Sequence, residues 1–288
     1  MYYGLIVFSV LLFSLCCALR DEYRKARGSG FDISLESSLL GALAGFAVLL
    51  VFNRFQIEFT FFTLLIAFLA SLNGIAFMFC SFKALDTVNL SLFSLFSMLG
   101  GMVLPFLQGI LFYNERLTLA KALCFLLITV AILLPLGKSS VRQGAVYYVG
   151  IFLLNGLSGV LSKIFVSAPY EKVSAAGYSI LVAITLVVSC LLLLLIFRLL
   201  GKRPPKKETP LSFGLCSLSG AANKVANFIL VIALTHVDAS AQYPMVTGGT
   251  IIVSTLLCFF GKQRPSRREL IAVAIAFLGT LVLFVLPI

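Results

Sequence analysis

Ser219-Gly220-Ala221-Ala222-Asn223-Lys224-Val225-Ala226-Asn227 sets an ammonium group and two amides in the middle of an apolar run, 211–235. A run of that length can cross a bilayer, which takes about 20 helical residues. Lys224 lies near its midpoint, so either end is about 16 Å or more away at the rise of an α-helix. That is beyond the reach of a snorkelling lysine stem. A cation held there faces a bundle interior or a wet cavity. The stretch predicts a membrane bundle with a polar centre.

The remaining sequence has the matching composition. Of 288 residues, 60% are hydrophobic and 11% charged, against about 25% charged in a soluble domain, and the mean hydropathy is +1.09. The net charge of +11 does not point to nucleic acid, because Lys and Arg concentrate in short connections between apolar runs, where the positive-inside bias puts them. The partners expected are the lipid bilayer and a small-molecule substrate. The seven cysteines, Cys16, Cys17, Cys80, Cys124, Cys190, Cys216 and Cys258, all fall inside apolar runs without metal-ligand spacing to histidine. They read as helix-packing residues, with neither disulfide framework nor metal or other cofactor expected. The first apolar run has no basic residue before it and Arg20, Arg24, Lys25 and Arg27 after it, the pattern of a retained span rather than a cleaved signal.

Ten candidate spans follow, at about 2–19, 34–52, 59–82, 88–112, 118–136, 145–166, 174–197, 211–235, 239–260 and 268–286. The longest connections are 20–33 and the stiff basic linker around Gly201-Lys202-Arg203-Pro204-Pro205-Lys206-Lys207. Alternate connections put sixteen Lys and Arg on one side of the membrane and five, Arg54, Arg116, Lys121, Lys163 and Lys172, on the other. That bias predicts both termini outside the cytoplasm. The expected location is a bacterial inner membrane.

Sliding the chain by 149 residues lays 83–136 over 232–285 without a gap. Ala84-Leu85 then meets Ala233-Leu234, Ser91 meets Ser240, Gly100 meets Gly249, and the turn Asn114-Glu115-Arg116-Leu117-Thr118 meets Gln263-Arg264-Pro265-Ser266-Arg267. Two halves of five spans, 1–137 and 138–288, are necessarily inverted, because five is odd. Inverted repeats around a midplane site are a transporter architecture. With its 5+5 pattern and the Glu115-Arg116-Leu117-Thr118 turn before the last helix of the first half, the chain resembles the drug/metabolite transporter superfamily, EamA-like branch. The second half keeps part of the pattern, with Gly279 in its last helix. The resemblance implies alternating access, with spans three, four, eight and nine and parts of one, two, six and seven around a central cavity. It implies peripheral places for spans five and ten. Characterised relatives commonly have cytoplasmic termini, and the charge count here departs from that.

Polar and small residues cluster at mid-depth. Asn73-Gly74 lies in span three, Gly100-Gly101 in span four, Asn155-Gly156 in span six, Asn223-Lys224 in span eight and Gly248-Gly249-Thr250 in span nine. Unpaired amides are expensive in hydrocarbon, so these depths face inward. Helical spacing puts Ser217, Gly220, Asn223, Lys224 and Asn227 on one face of span eight, and Ser240, Tyr243, Thr247, Thr250 and Ser254 on one face of span nine. Span four has a Ser91, Ser94, Ser97, Gly101 stripe with Gln108 beyond it, and span six has Asn155, Ser158, Gly159 and Ser162. The substrate-binding set expected is Lys224, Asn223, Asn227, Asn73, Asn155, Tyr243, Thr247 and Thr250. Hinge candidates are Gly100, Gly101, Pro105, Pro244, Gly248 and Gly249, the prolines because each removes a helix hydrogen bond. Any single serine or glycine on these stripes has a competing role as a packing residue, and each asparagine one as a bond to a neighbouring helix.

All eleven acids fall in connections or at span ends. With one histidine, His236, and no central carboxylate, the sequence offers no hydrolytic constellation, and no enzymatic activity is expected. A lone mid-depth cation disfavours cationic cargo. The expected function is a secondary transporter of a small anionic, zwitterionic or polar neutral metabolite. A lipid or glycolipid flippase and a cationic drug exporter are the alternatives on the same fold.

Overall fold

The structure, a computed structural model, describes residues 2–112, 118–134, 144–200, 209–234, 236, 239–260 and 264–285. Most of the Asn114–Thr118 turn, the basic linker 201–207 and the boundary between the sequence halves at 137 and 138 lie outside the described residues. Among the described residues the regular structure is all helix: α1 Tyr2–Arg27, α2 Phe31–Phe52, α3 Phe61–Leu85, α4 Leu90–Phe112, α5 Leu119–Leu133, α6 Ala145–Ser167, α7 Ala175–Leu199, α8 Pro210–Leu234, α9 Ala239–Phe260 and α10 Arg267–Val285. Seven of these, α1 to α4 and α6 to α8, are long and apolar enough to cross a membrane. The chain is an all-helical integral membrane protein.

Polar residues at the run ends set where helices start. Thr60 Oγ1 accepts from Thr63 N at 3.3 Å before α3, and Ser174 Oγ accepts from Gly177 N at 3.1 Å before α7. Asn89 Oδ1 accepts from Leu92 N at 3.0 Å before α4. Each satisfies one amide that the helix itself leaves unpaired. Ser266 and Glu269 form a capping box on α10, with Ser266 N donating to Glu269 Oε2 at 2.8 Å. The same carboxylate oxygen accepts from Asn89 Nδ2 at 2.7 Å, tying the starts of α4 and α10 together.

The expectation of a long loop over 20–33 is corrected. Helix α1 continues two turns past its apolar run to Arg27, and only residues 28–30 separate it from α2. The extension carries pairs at helical spacing, Arg24–Asp21 at 2.9 Å, Lys25–Asp21 at 2.6 Å and Lys25–Glu22 at 2.7 Å, which support a helix in water. Gly28, at φ 102°, ends it and donates to Arg24 O at 2.7 Å, a glycine-favouring left-handed stop.

The extensive helix contacts are α1 with α8 and α9, α2 with α7 and α8, α3 with α6 and α7, α4 with α6 and α9, and α5 with α10. The two halves of the chain interlock, and neither stands as a separate body. Glycines permit the closest crossings. A side chain on Gly220 of α8 would meet the backbone of Gly41 of α2, and one on Gly100 of α4 would meet the Phe152 backbone of α6. The largest buried cluster surrounds α4, with Leu92, Phe93, Leu95 and Leu99 packed against Tyr148, Ile151, Ile251 and Ala276. Facing outward are exposed apolar rows such as Val7, Phe8, Leu11 and Leu15 on α1 and Leu191, Leu192 and Leu195 on α7. Rows this long at helical spacing suit hydrocarbon rather than water.

Gly220→Val forces α2 and α8 apart, an overpacking penalty of about 1–3 kcal/mol. The detergent-solubilised variant is expected to melt several degrees below the wild type. Gly214→Ala on the same helix, where an added Cβ meets nothing within 4 Å, is expected to hold the melting temperature or raise it slightly.

Candidate functional site

Helices α1 and α8 pack together in antiparallel register. Tyr2 stacks on His236 with ring centroids 4.1 Å apart, Ser9 Oγ donates to Ala226 O at 3.3 Å, and Cys16 Sγ lies 3.3 Å from Ser219 Oγ. As one number rises the other falls. Between this pair and helices α2, α3, α4, α6, α7 and α9 lies a cavity of about 320 Å³. That is within the usual range for a small-molecule site. No described residue of α5 or α10 lines it.

Of the sequence-predicted residues, Lys224, Asn223, Asn227, Asn73, Asn155, Thr247 and Gly101 line this cavity. Lys224 has no hydrogen-bond or ion-pair partner among the described residues, and its Cβ and Cγ pack where Gly45 of α2 leaves room. Asn227 is exposed, and its Nδ2 donates within its own helix to Asn223 O at 2.8 Å. Two asparagines bond across helices, as intramembrane amides often do. Asn73 Nδ2 donates to Leu154 O at 2.9 Å, joining α3 to α6, and Asn155 Nδ2 donates to Ser97 O at 2.7 Å, joining α6 to α4. Asn73 Oδ1 and Ser97 Oγ stay buried without a partner.

Other expected residues sit elsewhere. Thr250 is fully buried, does not line the cavity and leaves its hydroxyl unpartnered. Ser217 turns away from the cavity, and Cys216 and Ser219 take the wall with Gly220. The Ser91 stripe is largely a packing seam, with Ser91 Oγ 2.8 Å from Thr255 Oγ1 of α9. Helix α4 runs unbroken through Pro105, whose ring fills the space a side chain on Gly159 would need. Gly248 abuts Thr280 and Phe277 of α10, and Gly249 abuts Val10 of α1. The side chains of Tyr243 and Pro244 lie outside the described residues.

Arg20 was assigned to a loop by its place after the apolar run. In the structure it is a cavity residue, 6% exposed. Its guanidinium lies 5.5 Å from the Phe77 ring centroid, and its Nη2 donates to Cys16 Sγ at 3.6 Å. The signal missed was helical continuity, since Arg20 is one turn beyond Cys16 on the same face. Among the described residues no Asp or Glu lines the cavity, and the charged residues that do are Lys224 and Arg20.

The cavity is closed where Arg20, Ser37 and Cys216 are buried. Beyond them Arg24 pairs with Asp86 at 2.5 Å and Arg27 with Glu36 at 2.8 Å. It opens on the side of Ser158 and Asn227, which are exposed. At the other end of the bundle Glu58 accepts from Ser174 N and Oγ, both at 2.6 Å. These bonds hold its carboxyl below the usual glutamate value. No cluster of three or more His, Cys, Asp or Glu side chains forms among the described residues.

No family model matches the chain, and no curated protein matches it in sequence. Among solved structures 28 chains match it. One of them, a protein crystal structure, aligns at a TM-score of 0.64 and 18% identity over 96% of this chain and 94% of its own. A likeness at that identity concerns the fold.

Asn155→Ala removes a bond between helices and is expected to cost about 1 kcal/mol. Asn227→Ala removes bonds within one helix and is expected to cost less. Thermal melts of the two variants in one detergent check the order.

Proposed function

We propose that the chain is a secondary transporter of a small organic metabolite, anionic, zwitterionic or polar neutral, working by alternating access at this cavity. The observation that carries the reading is a cavity walled, among the described residues, by eight helices and holding an unpartnered lysine and no carboxylate. A buried cation without a counter-ion is costly to keep unless it serves a site. Negative or dipolar cargo supplies the missing partner.

The same reading takes all ten helices as transmembrane spans arranged as two inverted repeats of the drug/metabolite transporter kind. The contact pattern supports it. Replacing each helix by the one five places away turns α1–α8 into α6–α3, α4–α6 into α9–α1, and α2–α8 into α7–α3. Each product is itself an extensive contact, while α2–α7, α4–α9 and α5–α10 map onto themselves. A pseudo-twofold axis between two five-helix units leaves this pattern. The peripheral places of α5 and α10 are those the family resemblance implies. By the positive-inside bias the termini lie outside the cytoplasm of a bacterial inner membrane, and the cavity opens away from the basic connections.

The test is a thermal-shift screen of purified protein against a metabolite panel, run beside Lys224→Met. A ligand of the folded state stabilises it by about 2.7 kcal/mol at a hundredfold excess over its dissociation constant. Anionic or zwitterionic compounds are expected to raise the wild-type melting temperature and to lose that effect in the variant. Stabilisation of both proteins by quaternary ammonium compounds would overturn the reading.

A further inference from the structure

The proposed cargo acquires a sharper chemistry from Arg20. Its side chain has five N–H donors, and the hydrogen bond it makes among the described residues is one long one to sulfur. Its Nε is buried with no partner. The nearby acids are engaged elsewhere. Asp21 takes Arg24 and Lys25, Glu22 takes Lys25, Asp86 takes Arg24, and Glu36 takes Arg27. Of the α1 cations, Arg20 is the one without a carboxylate among the described residues, and it lines the cavity.

Its placement relative to Lys224 follows from the α1–α8 register. Arg20 Nη2 sits at Cys16 Sγ, and Cys16 is level with Ser219. Lys224 lies five residues further along α8, about 7.5 Å away along the axis. Helical side chains lean toward their own N-terminus. In an antiparallel pair, Arg20 therefore leans toward Lys224 and Lys224 toward Arg20. Two like charges converge in a partly dry cavity, and their repulsion is relieved by an anion between them. A guanidinium matches a planar oxyanion through two parallel bonds, whereas an ammonium is a point charge with three donors. Phe13, Phe77 and Met98 supply apolar wall beside them.

We infer that the cavity binds a small organic dianion, one oxyanion group seated on Arg20 and a second negative group about one helical turn away on Lys224. This rests on the transport reading for its consequence but not for its test. Purified protein is titrated calorimetrically with the dicarboxylates from malonate to adipate, with phosphonoacetate, and with monocarboxylates of matching length. The same compounds are then tried as counterflow substrates in proteoliposomes. At least one dianion is expected to bind tenfold or more tightly than its monoanionic counterpart. Arg20→Gln and Lys224→Gln are each expected to erase that advantage, and Lys224→Gln to weaken monoanion binding as well. Arg20→Lys, which keeps the charge and loses the fork, is expected to recover part of it.

Wild-type protein that binds dianions no better than monoanions would overturn the inference, as would Arg20→Gln that binds them like the wild type. Binding without counterflow would leave the dianion site standing and refute transport. Counterflow of monoanions untouched by Arg20→Gln, with no dianion preference, would do the reverse.

Discussion

The bundle depends on an electrostatic constraint: an ammonium at the centre of a membrane-length helix cannot be left in hydrocarbon. Lys224 has no carboxylate or carbonyl partner among the described residues, and the surrounding helices do not close over it. Gly41, Gly45 and Gly220 let α2 approach α8 closely enough for the lysine stem to lie against backbone, while the head stays at a cavity wall. A larger residue at any of these glycines would push the helix away and open the lysine to lipid. The small residues thus serve packing and solvation together.

Asn73 and Asn155 extend the same logic to the opposite wall. Each spends its amide N–H on a neighbouring helix, pinning α6 between α3 and α4. Wall rigidity and wall polarity come from the same side chains. The ion pairs at the Arg20 end involve α1, α2 and the connection after α3, and the Glu58–Ser174 contact joins the α2–α3 connection to the start of α7. A change in which end is open would have to exchange contacts of these kinds, which are polar and reversible, while the apolar seams slide as units.

Much of the fold was legible because hydrophobic run length maps directly onto helix length. Capping residues such as Thr60, Ser174 and Ser266 mark the ends. Periodicity also found most of the α8 wall, since residues three and four apart share a face. It erred on Ser217, because a stripe broad enough to hold Ser217 and Asn227 can equally be centred on Cys216 and Ser219. Only neighbouring helices decide between them. It could not separate Thr250 and the Ser91 stripe from true wall residues, because buried small polar groups look alike whether they face a cavity or another helix. Arg20 was missed for a different reason. Charge after an apolar run reads as a loop, yet salt-paired residues 21–27 carry the helix onward and leave Arg20 on the inner face.

The central claim, that Lys224 stands at a cavity open away from the basic connections, has a direct test. In a cysteine-free background, Asn227→Cys is exposed to a membrane-impermeant maleimide from one side of sealed vesicles at a time. The account predicts rapid modification from the side opposite the basic connections and none from the other. A thiol at 227 that resists the reagent from both sides would mean a packed seam in place of a cavity, and would contradict the account.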